Sequence, residues 1–114
     1  MKSKVDHIAV LVDDLKVAEK WYVEHLNAEI AFQDQYYTRI QLENTCLALI
    51  DRSHYPYAHT GILIKDIKDL PLEKGEVIKH RDGTIGVYVK DPFGNYLEYI
   101  WYSDQQKEVF LKDD

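Results

Sequence analysis

The chain alternates short apolar runs with charged turns, and the period of each run sets its element. Residues Val5–Val12 (V-D-H-I-A-V-L-V) are apolar almost throughout, which predicts a strand covered on both faces, with His7 as its exception. The spacing then becomes helical. Leu15, Ala18, Tyr22 and Leu26 fall on one stripe, and Lys16, Glu19, Lys20 and Glu24 are expected on the wet side. Asp13 and Asp14 supply an N-cap and a favourable charge at the helix start, and Asn27 can end the helix in the left-handed conformation. Three strands are predicted next, at 29–33, 37–42 and 45–51, joined by the short turns Asp34-Gln35 and Glu43-Asn44 that antiparallel neighbours need.

After a linker at 52–58 the pattern begins again. H-T-G-I-L-I-K-D from His59 matches H-I-A-V-L-V-D-D from His7 position by position, 52 residues further on. This is an internal repeat of one supersecondary unit. The second helix is cut to about two turns by Pro71 and Gly75. Strands are predicted at 76–79, 84–90 and 96–101, with a turn at 80–83. The last two strands flank D-P-F-G-N, residues 91–95, where Pro presets φ and Gly or Asn tolerates positive φ, so they read as a hairpin. Residues 103–114 are charged and read as a short helix carrying Val109 and Phe110, or as a frayed tail.

Composition narrows the class. The 114 residues suffice for one domain, 1–114, with one module at about 5–52 and a second at about 58–103. They are 46% hydrophobic and 30% charged, an ordinary soluble balance. No apolar run approaches a membrane span, and the N-terminus enters the first strand without a separate apolar signal region. The net charge of −6 argues against nucleic acid as the partner. Cys46 is the single cysteine, which excludes an internal disulfide and fits a reducing compartment, with the cytoplasm as the default address.

Candidate chemistry comes from alternation, which puts residues i and i+2 of a strand on one face. His7 shares its face with Val5, Ala9 and Leu11, His59 with Gly61 and Leu63, and Glu98 with Tyr96 and Ile100. A lone histidine in a strand reads as a buried neutral side chain, and a lone strand glutamate as a solvated one. Two histidines at equivalent repeat positions and a carboxylate in the final strand read as metal ligands, provided the two units pair so that their opening strands meet. Cys46 reads as a small core residue, since no helix N-terminus or basic neighbour is evident to activate it. His25 reads as a surface residue, and His54 and His80 lie in a linker and a turn. Arg39 either faces the site and holds an anionic substrate or faces solvent. Tyr88, Tyr96 and Tyr99 are possible proton donors or stacking surfaces. Tyr36, Tyr37, Tyr55 and Tyr57 read as strand formers with an edge in water.

The motifs D-H-I-A-V-L-V-D-D with L-K-V-A-E-K-W-Y-V-E-H-L, then H-T-G-I-L-I-K-D, then D-P-F-G-N-Y-L-E-Y-I resemble the vicinal oxygen chelate superfamily, the glyoxalase, bleomycin-resistance and extradiol dioxygenase proteins. The resemblance runs from Val5 to Tyr102. It implies an α+β fold of two βαβββ modules forming an open, cupped mixed sheet. It implies His7, His59 and Glu98 as ligands of a divalent metal ion such as iron, zinc, manganese or nickel, and a homodimer. Many members carry a fourth ligand, Glu or Gln, on the fourth strand. Here the corresponding face reads Cys46, Ala48 and Ile50, which leaves the two-histidine, one-carboxylate set of the family's iron-dependent dioxygenases. The activity implied is that of a metal-dependent lyase, isomerase or dioxygenase on a small oxygenated metabolite. The alternative is a metal-free protein that binds a small molecule or antibiotic, as in bleomycin resistance.

Overall fold

A computed structural model of the chain describes residues 2–80 and 83–104. In chain order the elements are β1 (Val5–Val12), α1 (Leu15–Leu26), β2 (Glu29–Gln33), β3 (Tyr37–Gln41), β4 (Cys46–Asp51), β5 (His59–Leu63), β6 (Glu76–Lys79), β7 (Ile85–Lys90) and β8 (Tyr96–Trp101). Two 3-10 turns, Ile67–Asp69 and Leu72–Lys74, stand between β5 and β6 where the shortened second helix was expected. The chain divides into two compact units. One is Val5–Thr60, and the other takes in the described residues of Met1–Lys4 and Gly61–Asp114.

In the first unit the helix begins and ends as the sequence predicts. The Asp14 side chain accepts from the Val17 N–H at 3.2 Å, and Asn27 closes α1 in the left-handed region at φ 50°. The strand order is β2-β3-β4-β1, with β4 parallel to β1 and the other neighbours antiparallel. Register sets Cys46 beside His7, Ala48 beside Ala9 and Ile50 beside Leu11, and then Gln41, Arg39 and Tyr37 beside those three in turn. One face of the unit therefore carries all nine. The opposite face buries Thr38, Ile40 and Leu49 completely.

Helix α1 packs on β2, β3 and β4. Ile8 accordingly stays 39% exposed, and β1 is less covered than its apolar run suggests. The helix stripe also differs from expectation at two positions. Glu19 is buried, because it lies four residues after Leu15 and three before Tyr22 and so inside the stripe. Its carboxylate accepts from the hydroxyl of fully buried Thr38, and Lys16 Nζ sits 3.5 Å from its other oxygen. Leu26, in the last turn, is exposed.

In the second unit the order is β5-β8-β7-β6, and the Ile64 N–H donates to the Ile100 carbonyl at 2.8 Å. Leu63, Ile100 and Tyr102 form its core. The β7–β8 hairpin is antiparallel, with Tyr88 opposite Glu98 and Gly86 opposite Ile100. Asp91 organises its turn: Oδ1 accepts from the backbone N–H groups of Phe93 at 2.7 Å and Asn95 at 2.9 Å, and Oδ2 from Asn95 Nδ2 at 3.2 Å. Gly94 supplies the φ of 92° that the turn requires. The Asn95 N–H, chiefly, holds the Asp91 carboxyl below the usual carboxylate range. Ser103, at the head of the predicted helix or tail, is buried, and its N–H donates to Thr84 Oγ1 at 3.1 Å. The rest of that stretch, from 105, lies outside the described residues, as do positions 81 and 82 of the predicted turn at 80–83. No helix among the described residues is long and apolar enough to cross a membrane.

Two outcomes follow. Glu19→Ala leaves the Thr38 hydroxyl buried without this acceptor and lowers unfolding stability by about 1–3 kcal/mol in a denaturant titration. A change within about 0.5 kcal/mol, normal for a surface glutamate, contradicts that burial. Asp91 has a folded pKa below its unfolded one, so its contribution to stability is present above the ordinary carboxylate range and lost as pH falls through the folded value. Melting curves of wild type and Asp91→Asn should therefore differ at neutral pH and converge in acid. A gap that persists unchanged at the lowest pH contradicts the assignment.

Candidate metal centre

The donor residues stand on strands because strands fix side-chain direction to one face at a time. His7 is the third residue of β1 and His59 the first of β5, and both are buried. Within the first unit their rings meet edge to face at 85°, with centroids 5.2 Å apart. The two Nε2 atoms lie 3.2 Å from each other.

The opposite ring nitrogens decide what that means. His59 Nδ1 is 3.0 Å from the carbonyl oxygen of Tyr57, which only accepts, so Nδ1 carries the proton and donates. His7 Nδ1 donates to Asp6 Oδ2 at 2.8 Å. With both rings neutral, each would present an unprotonated Nε2 to the other; with one ring protonated, its Nε2–H would donate across the same 3.2 Å. Two bare lone pairs at this distance would repel, and a shared positive charge, a proton or a metal ion, relieves them. A histidine ligand held through its second nitrogen by a carboxylate or a carbonyl is the arrangement metal sites use to fix tautomer and ring orientation.

Asp6 ties the pair to the rest of its unit. Arg39 Nη2 lies 3.7 Å from the other Asp6 oxygen, and both side chains are buried. Of the two orientations open to Arg39, the fold takes the inward one, and Asp6 balances its charge. Asp6 is a residue that the sequence reading passed over. Strict alternation sends it and His7 to opposite faces, yet its carboxylate reaches back to its neighbour's ring. The Tyr57 carbonyl leaves no trace in residue type at all.

Next to His7 in register, Cys46 is buried, as expected of a small core residue. Burial pushes its thiol up, against the opposing influence of Arg39. The neutral Sγ–H donates to Gln41 Oε1 at 2.9 Å. Further along the same face, Ala9, Ala48 and Ile50 make an apolar floor on which Leu11, Tyr37 and Tyr55 pack. Burial also pushes the Tyr37 hydroxyl well above its ordinary range, so it stays protonated. Away from the site, His25 stacks on Trp21 and His54 on Tyr36, both at the surface.

Glu98 belongs to the second unit. It sits in mid-β8 and is only 5% exposed. Tyr88 is its direct neighbour across the hairpin and Gly86 its diagonal one. Tyr88, Tyr96 and Tyr99 are half-buried, and the geometry singles out none of them as a proton donor. His7 and His59 in the first unit and Glu98 in the second are all buried.

No protein-family model and no curated protein matches the chain. Solved structures do. A glyoxalase/bleomycin resistance protein/dioxygenase superfamily member from Vibrio splendidus 12B01 superposes with TM-score 0.67 at 12% identity, over 89% of this chain and all of that one. Methylmalonyl-CoA epimerase from Mycobacterium tuberculosis gives 0.71 at 12% identity, over 91% of each chain. An extradiol ring-cleaving dioxygenase from B. fuscum gives 0.62 at 16% identity, over 88% of this chain and 32% of that larger one. The chain thus has the fold shared by structures of the glyoxalase, bleomycin-resistance and dioxygenase superfamily.

Proposed function

We propose that the protein is a metal-dependent enzyme of the glyoxalase and dioxygenase kind. It acts on a small oxygenated metabolite as a lyase, isomerase or dioxygenase. His7, His59 and Glu98 hold a divalent ion, one ligand atom from each. The observation that carries this reading is the His7–His59 pair, two Nε2 atoms 3.2 Å apart whose rings are each fixed through Nδ1. Two imidazoles and a carboxylate suit iron, zinc, manganese or nickel. When bound, such an ion polarises two neighbouring substrate oxygens as a Lewis acid.

The chain's own groups do the rest. Asp6 and the Tyr57 carbonyl aim the imidazole lone pairs, and Arg39 keeps the Asp6 charge balanced inside the protein. The floor of Ala9, Ala48 and Ile50 beneath Tyr37 and Tyr55 gives an apolar surface beside the donors. Tyr37, held protonated, can donate a hydrogen bond and does not serve as a base. The rival reading, a metal-free binder of small molecules, draws support from the absence of a carboxylate or amide among Cys46, Ala48 and Ile50 on β4.

Zinc titration of metal-stripped protein by calorimetry separates the two readings. The expected result is one ion per chain, with affinity reduced more than about 100-fold in each of His7→Ala, His59→Ala and Glu98→Ala. Stoichiometric uptake by the triple variant contradicts the ligand set. No uptake by the wild type, together with stabilisation of the stripped protein by a small molecule, favours the rival.

The proposal includes a cytoplasmic homodimer. The second unit has two 3-10 turns in place of a full helix, and Ile67 and Leu72 are 47% and 48% exposed there. A second copy covering them gives a dimer in sedimentation at micromolar concentration, and a strictly monomeric boundary contradicts it.

A further inference from the structure

Gly86 sits in the interior of β7, where glycine is a poor strand former and adds backbone entropy to be lost on folding. Its φ lies outside the left-handed region, so its backbone does not require glycine. It is not at a bulge, since β7 runs in unbroken register from Ile85 to Lys90 against β8. What it supplies is space. A Cβ built on Gly86 would overlap Glu98 Oε2, and would come within 3.3 Å of Glu98 Cδ and 3.4 Å of Cγ. The three nearest atoms all belong to that one side chain. Glu98 reaches diagonally across the hairpin and lays its carboxylate over the bare Cα of Gly86.

We propose that Gly86 is a positioning residue: its missing side chain is the seat that fixes the Glu98 carboxylate in its metal-binding orientation. This rests on the reading of Glu98 as a ligand. The three atoms nearest to a methyl group at Gly86 lie in the far part of one flexible side chain, which would have to move aside. The substitution therefore costs little in folding and much in placement. Alanine in an ordinary strand conformation also removes backbone freedom from the unfolded chain, which favours the folded state.

The test uses metal-stripped full-length protein and zinc alone, in wild type, Gly86→Ala, Glu98→Gln and the double variant. The inference expects Gly86→Ala to melt no lower than wild type without metal, and to bind zinc about tenfold or more weakly. In the Glu98→Gln background the same change should cost nothing further, because it acts through the carboxylate already removed. Glu98→Asp supplies an independent arm: Gly86→Ala should do less harm beside the shorter side chain than beside glutamate. If wild type and Gly86→Ala bind zinc equally, the inference fails while the ligand reading stands. If the wild type binds none, the ligand reading fails and takes the inference with it. An equal loss from Gly86→Ala in the wild-type and Glu98→Gln backgrounds assigns Gly86 a purely structural role and overturns the inference. So does a Gly86→Ala that fails to fold both alone and combined with Glu98→Asp.

Discussion

The candidate site depends on two buried imidazoles that point their Nε2 edges at each other. Each ring is held through Nδ1 by an acceptor, the Asp6 carboxylate for His7 and the Tyr57 carbonyl for His59. That leaves the two Nε2 atoms 3.2 Å apart in a buried setting. Such a pair is unfavourable with both facing nitrogens bare and favourable around a positive charge, a shared proton or a metal ion. The unit that holds it also buries Asp6 and Arg39, and the other unit buries Glu98. Burying so many ionisable groups costs folding free energy that an apolar core would not. The fold offsets this with paired charges and held rings, an arrangement that serves a site better than a core.

Strand register explains how the site is built from ordinary parts. Parallel pairing of β1 with β4 sets Cys46 beside His7, and antiparallel pairing of β4 with β3 sets Gln41 next in the row. The row thus passes from a candidate ligand to a neutral thiol and then to the amide that accepts from it. The two neighbouring rows are small or apolar from Ala9 to Ile50, apart from Arg39, whose charge is turned to Asp6. Polar chemistry is confined to one end of the face and apolar surface to the other.

Much of this was legible in the sequence because it rests on period and on turn chemistry. Val5–Val12, Glu29–Gln33, Glu76–Lys79 and Tyr96–Trp101 take the predicted bounds, and Asp14 and Asn27 cap α1 in the predicted way. The repeat beginning at His7 and His59 identified the two rings that the fold brings together. What escaped were features that period does not encode. Glu19 is charged, and so was assigned to water, although its spacing places it in the buried stripe. Asp6 bends back to its own neighbour against the alternation. Arg39 had two readings that only a partner could separate. The acceptor for His59 is a backbone carbonyl, which every residue owns. Gly86 matters through the side chain it lacks.

The most direct measurement is of the histidine ring nitrogens by long-range proton–nitrogen NMR, with and without one equivalent of zinc. In the loaded protein His7 and His59 should both be Nδ1–H tautomers, and both Nε2 resonances should move together on zinc addition and stop at one ion per chain. Nε2–H tautomers that zinc leaves unmoved would contradict the shared-cation reading of the pair.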